Sequence, residues 1–212
     1  MPPLDALQIP APILARLSFA SARARVLVAA VITALVTALG LALVSPGAQA
    51  QTPSPPPLRA IESLDVPRYM GRWYEIAKFP NWFQRQCVAA TVATYSLRPD
   101  GQVQVLNECR RQNGQMEQAL GQARQLGPAT SARLQVRFAP QWLSLLPFVW
   151  GDYWVIDLDE RYELVAVSEP QREYLWVLSR TPVVDEVRYA ALLTRLAAQG
   201  LDVGRLESTP QR

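Results

Sequence analysis

Between Gly71 and Phe79 bulky side chains alternate along the chain, with Trp73, Glu75 and Ala77 on one parity and Tyr74, Ile76 and Lys78 on the other. A period of two sends successive side chains to opposite faces of an extended strand, so the stretch reads as a strand over 71–79 with one face toward a core. Comparable segments follow at about 88–97, 102–110, 115–125, 132–139, 151–158, 161–168 and 174–180. Turn-forming runs punctuate them: Pro99-Asp100-Gly101, Asn113-Gly114, Gly127-Pro128, Asp159-Glu160-Arg161 and Pro170-Gln171-Arg172. Connections this short leave no room for crossover helices, so the strands run antiparallel. Eight strands are the number that closes a barrel around one small ligand. The pattern therefore predicts an all-β chain, an eight-stranded up-and-down antiparallel barrel.

One helix stands outside that pattern. Asp185 to Gln199 places Tyr189, Leu192, Leu193 and Leu196 on one face and ends at Gly200, which suits a helix packed against the outside of the barrel. Thr181-Pro182 separates it from the last strand, and Leu201 to Leu206 reads as a further short strand. Ala139 to Trp150 is apolar but contains Pro140 and Pro147, which exclude a regular central strand. With Trp142 and Trp150 it is either a loop folded onto its own core or a patch for peripheral membrane contact or for pairing with a second copy as a homodimer.

The first 50 residues are expected to be a signal peptide. Arg16, Arg23 and Arg25 precede an uncharged apolar run from Val26 to Val44, and Ser45-Pro46-Gly47 then leads to Ala48-Gln49-Ala50, an A-x-A cleavage pattern. The alternative is an uncleaved helix, since a run of this length spans a bilayer. Residues 51–60, rich in proline, read as a disordered tether, 61–207 as the barrel domain and 208–212 as a disordered tail. No cysteine follows the apolar run, so the expected product is exported without a lipoprotein cysteine, to the periplasm or beyond, with outer-membrane association left open.

Charge then removes several function classes. The whole chain carries 21 basic and 18 acidic residues. Without Arg16, Arg23, Arg25 and Asp5 the remainder has 18 against 17, which leaves no footprint for nucleic acid. The chain contains no histidine, which removes Ser-His-Asp and Cys-His nucleophile systems and the commonest metal ligand. No metal or cofactor is implied, and Asp157, Asp159 and Glu160 read as a turn-capping cluster. The two cysteines, Cys87 and Cys109, suggest a disulfide in an exported chain, the alternative being two buried thiols. A plain hairpin would set Cys109 opposite Ala90, about 10 Å along the strand from Cys87, so a bulge or curled strand start must close the gap.

Three patches carry a family resemblance: Gly71-Arg72-Trp73-Tyr74, then Leu158-Asp159 with Tyr162, then Leu178-Ser179-Arg180. Together they resemble the lipocalins, and Trp73 to Pro80, Ala93 to Leu97 and Tyr174 to Pro182 look most like the bacterial and apolipoprotein D-like branch. The second patch departs from the usual Thr-Asp-Tyr. The resemblance implies a ligand-holding calyx, a binding protein and not an enzyme, and amphipathic lipids such as fatty acids or lysophospholipids as small-molecule partners in the bacterial envelope. An isomerase-like enzyme on the same barrel, or an interaction module using the 139–150 loop, are the alternatives. Gly71, Trp73 and Arg180 become structural motif residues, with the guanidinium over the indole. Strand parity together with the resemblance nominates Glu75, Ala93, Tyr95, Val105, Asn107, Tyr153, Val155, Tyr174 and Trp176 as ligand-binding residues, with Val103 beside them. Arg72 and Arg124 are further candidates near a mouth.

Overall fold

The computed structural model describes residues 55–212, so the expected signal segment and the start of the tether lie outside the described residues. Eight antiparallel strands form in chain order: β1 (Gly71–Lys78), β2 (Cys87–Leu97), β3 (Val103–Arg111), β4 (Met116–Gln125), β5 (Arg133–Arg137), β6 (Gly151–Leu158), β7 (Leu164–Ser168) and β8 (Leu175–Ser179). Each pairs with the next, and β1 pairs with both β8 and β2, which closes the barrel. A single helical turn, α1 (Val66–Tyr69), precedes β1, and one helix, α2 (Glu186–Ala198), follows β8.

Alternation sorts the core into two bodies. Inward residues, among them Trp73, Tyr95, Val105, Leu134, Val155, Val165, Val167 and Leu178, pack inside the barrel. Outward residues Phe79, Ile156, Leu164, Ala166, Leu175 and Val177 pack against Leu192 and Leu196 of α2. All five residues of β7 are buried because both of its faces are covered. Asp185 caps α2 by accepting from the Arg188 amide at 3.0 Å, and Arg195 in the last turn holds Asp157 through two bonds of 2.7 and 2.9 Å. Arg188 reaches Asp159, whose other oxygen accepts from the Glu163 and Leu164 amides. The acidic cluster thus shapes the β6–β7 turn and docks the helix. Tyr162 takes a left-handed φ of 59° there, which delays β7 to Leu164 from the expected 161.

The expected departure in β2 is present and is larger than a single bulge. Pairing of β2 with β3 shifts between Cys87 and Ala89 and again between Ala89 and Val92, with Ala90 at φ 52°. The curled start brings Cys87 to Cys109, and the two form a disulfide with their Cα atoms 5.5 Å apart. Closing a loop with a sequence separation of 22 stabilises by roughly 3 kcal/mol on the chain-entropy view. Reduction is therefore expected to lower the unfolding free energy by about that amount in a urea titration. An unchanged midpoint would show that the bridge constrains nothing.

The curl also pulls β2 away from the upper half of β1, and the C-terminus fills the space. A ninth strand, β9 (Glu207–Ser208), pairs with Ala77 and Lys78. Beyond it the Thr209 amide donates to the Ile76 carbonyl at 2.9 Å and the Ala90 amide to the Pro210 carbonyl at 2.7 Å. The Gln211 side-chain amide bridges the Glu75 and Thr91 carbonyls at 2.6 and 3.2 Å. The tail expected to be disordered is thus ordered, because two parting strands leave backbone groups that need partners. The short strand expected at Leu201–Leu206 is instead a 3-10 turn, Val203–Arg205, leading into β9. The end of the tether is also anchored: Leu58 is buried in the outer core, and the Arg172 guanidinium donates to the Pro56 carbonyl.

Candidate functional site

The closed end is built around Trp73. Asp65 caps α1 by accepting from the Arg68 amide, and the turn places the Tyr69 carbonyl 2.9 Å from the Trp73 indole N–H. Arg180 lies 3.9 Å over the fully buried indole ring. Its guanidinium donates to the carbonyls of Arg72, Arg68 and Tyr69 at 3.0 to 3.1 Å and of Tyr162 at 3.2 Å, so one side chain ties α1, β1 and the β6–β7 turn together. Gly71 has φ +96°, and a Cβ there would meet Arg180 Nη1 at 3.2 Å, so the plug requires glycine at that point. Arg72, a candidate for the mouth, sits at this floor over the Tyr74 ring. Arg124, the other one, leans on Trp150 and bonds Gln135.

Above the floor is a cavity of about 760 Å³. Glu75, Ala93, Tyr95, Val103, Val105, Asn107, Tyr153, Tyr174 and Trp176 all line it, as strand parity expects. Val155 does not; it is fully buried in the inner core beneath, where β6 has already entered the packed floor. Ala77 also departs from the inward set. The register break between Glu75 and Ala77 puts it opposite outward-facing Val177, and it is absent from the lining.

Three tyrosines form the deep end. Tyr153 hydroxyl lies 2.8 Å from that of Tyr69 and 3.0 Å from that of Tyr95, and the Tyr69 and Tyr95 rings stack at 5.6 Å. Burial pushes the Tyr95 hydroxyl up to about 12 and those of Tyr69 and Tyr153 well above their ordinary value, so all three keep their protons. Three protons for two mutual bonds leave one donor over among three residues that line the cavity. Tyr69 escapes a reading by strand parity because it lies in α1; the Asp65-Val66-Pro67 start of a capped turn is the sequence signal for it.

Glu75 is buried, with 2% exposure, and needs partners. Thr209 hydroxyl donates to one oxygen at 2.6 Å and the Gln84 amide to the other at 2.8 Å. Gln84 also accepts from the Trp176 indole N–H at 2.9 Å, which links the buried carboxyl to the aromatic wall. Nothing periodic in the sequence marks Gln84 or Thr209. Burial raises the Glu75 carboxyl above the usual carboxylate range, against the hydrogen bonds from Thr209 and Gln84 and the field of Lys78. The folded state then holds a proton where the unfolded chain has lost it. Stability falls from about pH 4.3, the ordinary glutamate value, up to the folded-state value and is level beyond. The melting temperature of Glu75→Gln relative to the parent is expected to rise with pH across that window; a pH-independent difference would contradict the assignment.

At the rim, Phe83 brings three other rings together, with centroids 5.6 Å from Trp82, 5.5 Å from Tyr174 and 6.3 Å from Trp176. The 139–150 segment divides: the Trp150 indole donates to the Ser144 carbonyl and lies under Arg124 and Arg137, whereas Trp142, Leu145 and Phe148 are 79%, 92% and 80% exposed. Among the described residues no three acidic or cysteine side chains converge on a metal site.

A closed antiparallel barrel with a plugged floor, an aromatic-lined cavity and one helix outside is a calyx, the class of barrel that encloses a single small ligand. The family model described as a lipocalin-like domain matches residues 64–211. The chain is 42% identical to temperature-induced lipocalin-1 of Arabidopsis thaliana over 73% of its length and 83% of that protein. Outer membrane lipoprotein Blc of Escherichia coli K12 shares 38% over 73% and 84%, and mouse apolipoprotein D 34% over 75% and 82%. Insecticyanin from Manduca sexta superposes with a TM-score of 0.57 over 74% of this chain and 85% of that one, at 18% identity, which speaks for the fold alone. The chain belongs to the lipocalin-like family.

Proposed function

We propose that this lipocalin binds amphipathic lipids, fatty acids or lysophospholipids, and stores or carries them in the bacterial cell envelope. The cavity carries this reading: about 760 Å³ lies within the range of small-molecule sites, and its walls are apolar and aromatic with a few polar groups at fixed points. The relationship to an outer membrane lipoprotein and to an apolipoprotein supports it. A binding role fits the polar groups better than an isomerase-like one, because Glu75 is engaged by Thr209 and Gln84 and not poised beside an open reaction space.

The N-terminal pattern supports export, with the mature chain beginning near Gln51. The exposed Trp142, Leu145 and Phe148 support peripheral contact with a membrane surface or with a second copy of the chain, since a contiguous apolar edge marks an interface. Displacement of a fluorescent hydrophobic probe by a lysophospholipid, measured below its micelle concentration, tests the binding role. Saturable displacement at one lipid per chain is the expected result; displacement that appears only with micelles would refute it.

A further inference from the structure

The charged residues at the cavity's rim all have one sign. Glu108, Glu117, Asp152, Glu169 and Glu173 line it, and among the described residues no lysine or arginine does. Glu117 is paired with Arg111, but among the described residues none of the other four has a basic partner within ion-pair distance. Glu169 is buried, with 8% exposure, and its oxygens accept from the amides of Gln171, Glu173 and Tyr174, a net that fixes the carboxylate without neutralising it. The same loop carries Tyr174 into the rim cluster of Trp82, Phe83 and Trp176, so a negative field and a set of aromatic faces meet at one place.

Two further groups in the cavity point to a ligand. Thr91, buried to 7% exposure, and Asn107 both line it, and neither Thr91 Oγ1 nor Asn107 Oδ1 finds a hydrogen-bond partner among the described residues. Asn107 Oδ1 accepts only, so its missing partner must donate. A carboxylate head would enter a mouth whose field repels it. An alkylammonium head carries the opposite charge and rests well on aromatic faces, the arrangement by which aromatic cages hold ammonium groups. Since no three carboxylates converge among the described residues, the field is too diffuse to hold a small metal ion and suits a bulky organic cation.

We propose that the calyx selects single-chain amphiphiles whose polar end is an ammonium group, seated at the Trp82, Phe83, Tyr174 and Trp176 cluster within the acidic rim. This rests on the lipid-binding reading above and narrows it, since it ranks plain fatty acids below cationic amphiphiles. Competition with a neutral fluorescent probe at low salt, using dodecylammonium and dodecanoate below their micelle concentrations, is the test. Dodecylammonium is expected to bind at least about tenfold more tightly, with the ratio shrinking as salt screens the rim. Glu173→Gln and Trp82→Leu, both at exposed positions and therefore compatible with folding, are each expected to reduce the ratio several-fold, with a clearly smaller change in displacement by a neutral monoacylglycerol. Equal or tighter binding of dodecanoate, or a ratio that neither substitution moves, overturns the head-group inference and leaves lipid binding standing. Failure of all three amphiphiles to displace the probe overturns both.

Discussion

Replacing Trp73 with alanine is expected to remove roughly 3–5 kcal/mol of stability, a large fraction of the roughly 5–15 kcal/mol typical of a folded domain. The indole is fully buried, its N–H bonds the Tyr69 carbonyl, and it is the face against which Arg180 lies at 3.9 Å. Truncation leaves a void and deprives the guanidinium of its stacking partner while its carbonyl bonds to α1 and the β6–β7 turn remain. Urea unfolding followed by circular dichroism measures the loss. A change below about 1 kcal/mol would mean that the floor is held by something other than this pair.

Trp176→Ala should act on the ligand instead. Its indole lines the cavity, stacks with Tyr174 at 5.9 Å and is only partly buried, so truncation widens an existing space more than it opens a new one. Affinity for a fluorescent amphiphile is expected to fall about tenfold or more, with a melting temperature within a few degrees of the parent. Asn107→Leu is a companion, because it removes an acceptor that lacks a protein partner: amphiphiles that bring a hydrogen-bond donor to Asn107 should lose more than plain hydrocarbon probes. If Trp176→Ala unfolds the chain as Trp73→Ala does and leaves the affinity of the folded fraction unchanged, Trp176 belongs to the core and not to the site.

Strand alternation and turn chemistry made the barrel legible in the sequence, and most of the lining with it, because inward parity is a local property carried faithfully from Ala93 to Tyr95 or from Val103 to Asn107. Parity failed where the backbone slips. The register break after Glu75 turned Ala77 outward, and Val155 kept its inward direction but lies below the cavity, a depth that alternation does not encode. The rest of the site comes from segments with no period at all. Tyr69 enters from a single helical turn, Gln84 from the loop between β1 and β2, and Thr209 from a tail whose composition reads as unstructured until the parting of β1 and β2 gives it partners. Long-range pairing of that kind leaves no trace in local sequence.

Native mass spectrometry of the detergent-free protein, incubated with one equivalent of a twelve-carbon amphiphile, tests most directly whether the cavity holds a lipid. Ala93 lines the space, so Ala93→Trp narrows it from within. The parent chain should retain one amphiphile per molecule, and Ala93→Trp, with an unchanged circular dichroism spectrum, should retain a clearly smaller fraction. Retention that the narrowed cavity leaves unchanged, or a parent chain that never carries the added mass, would contradict the calyx as the site of binding.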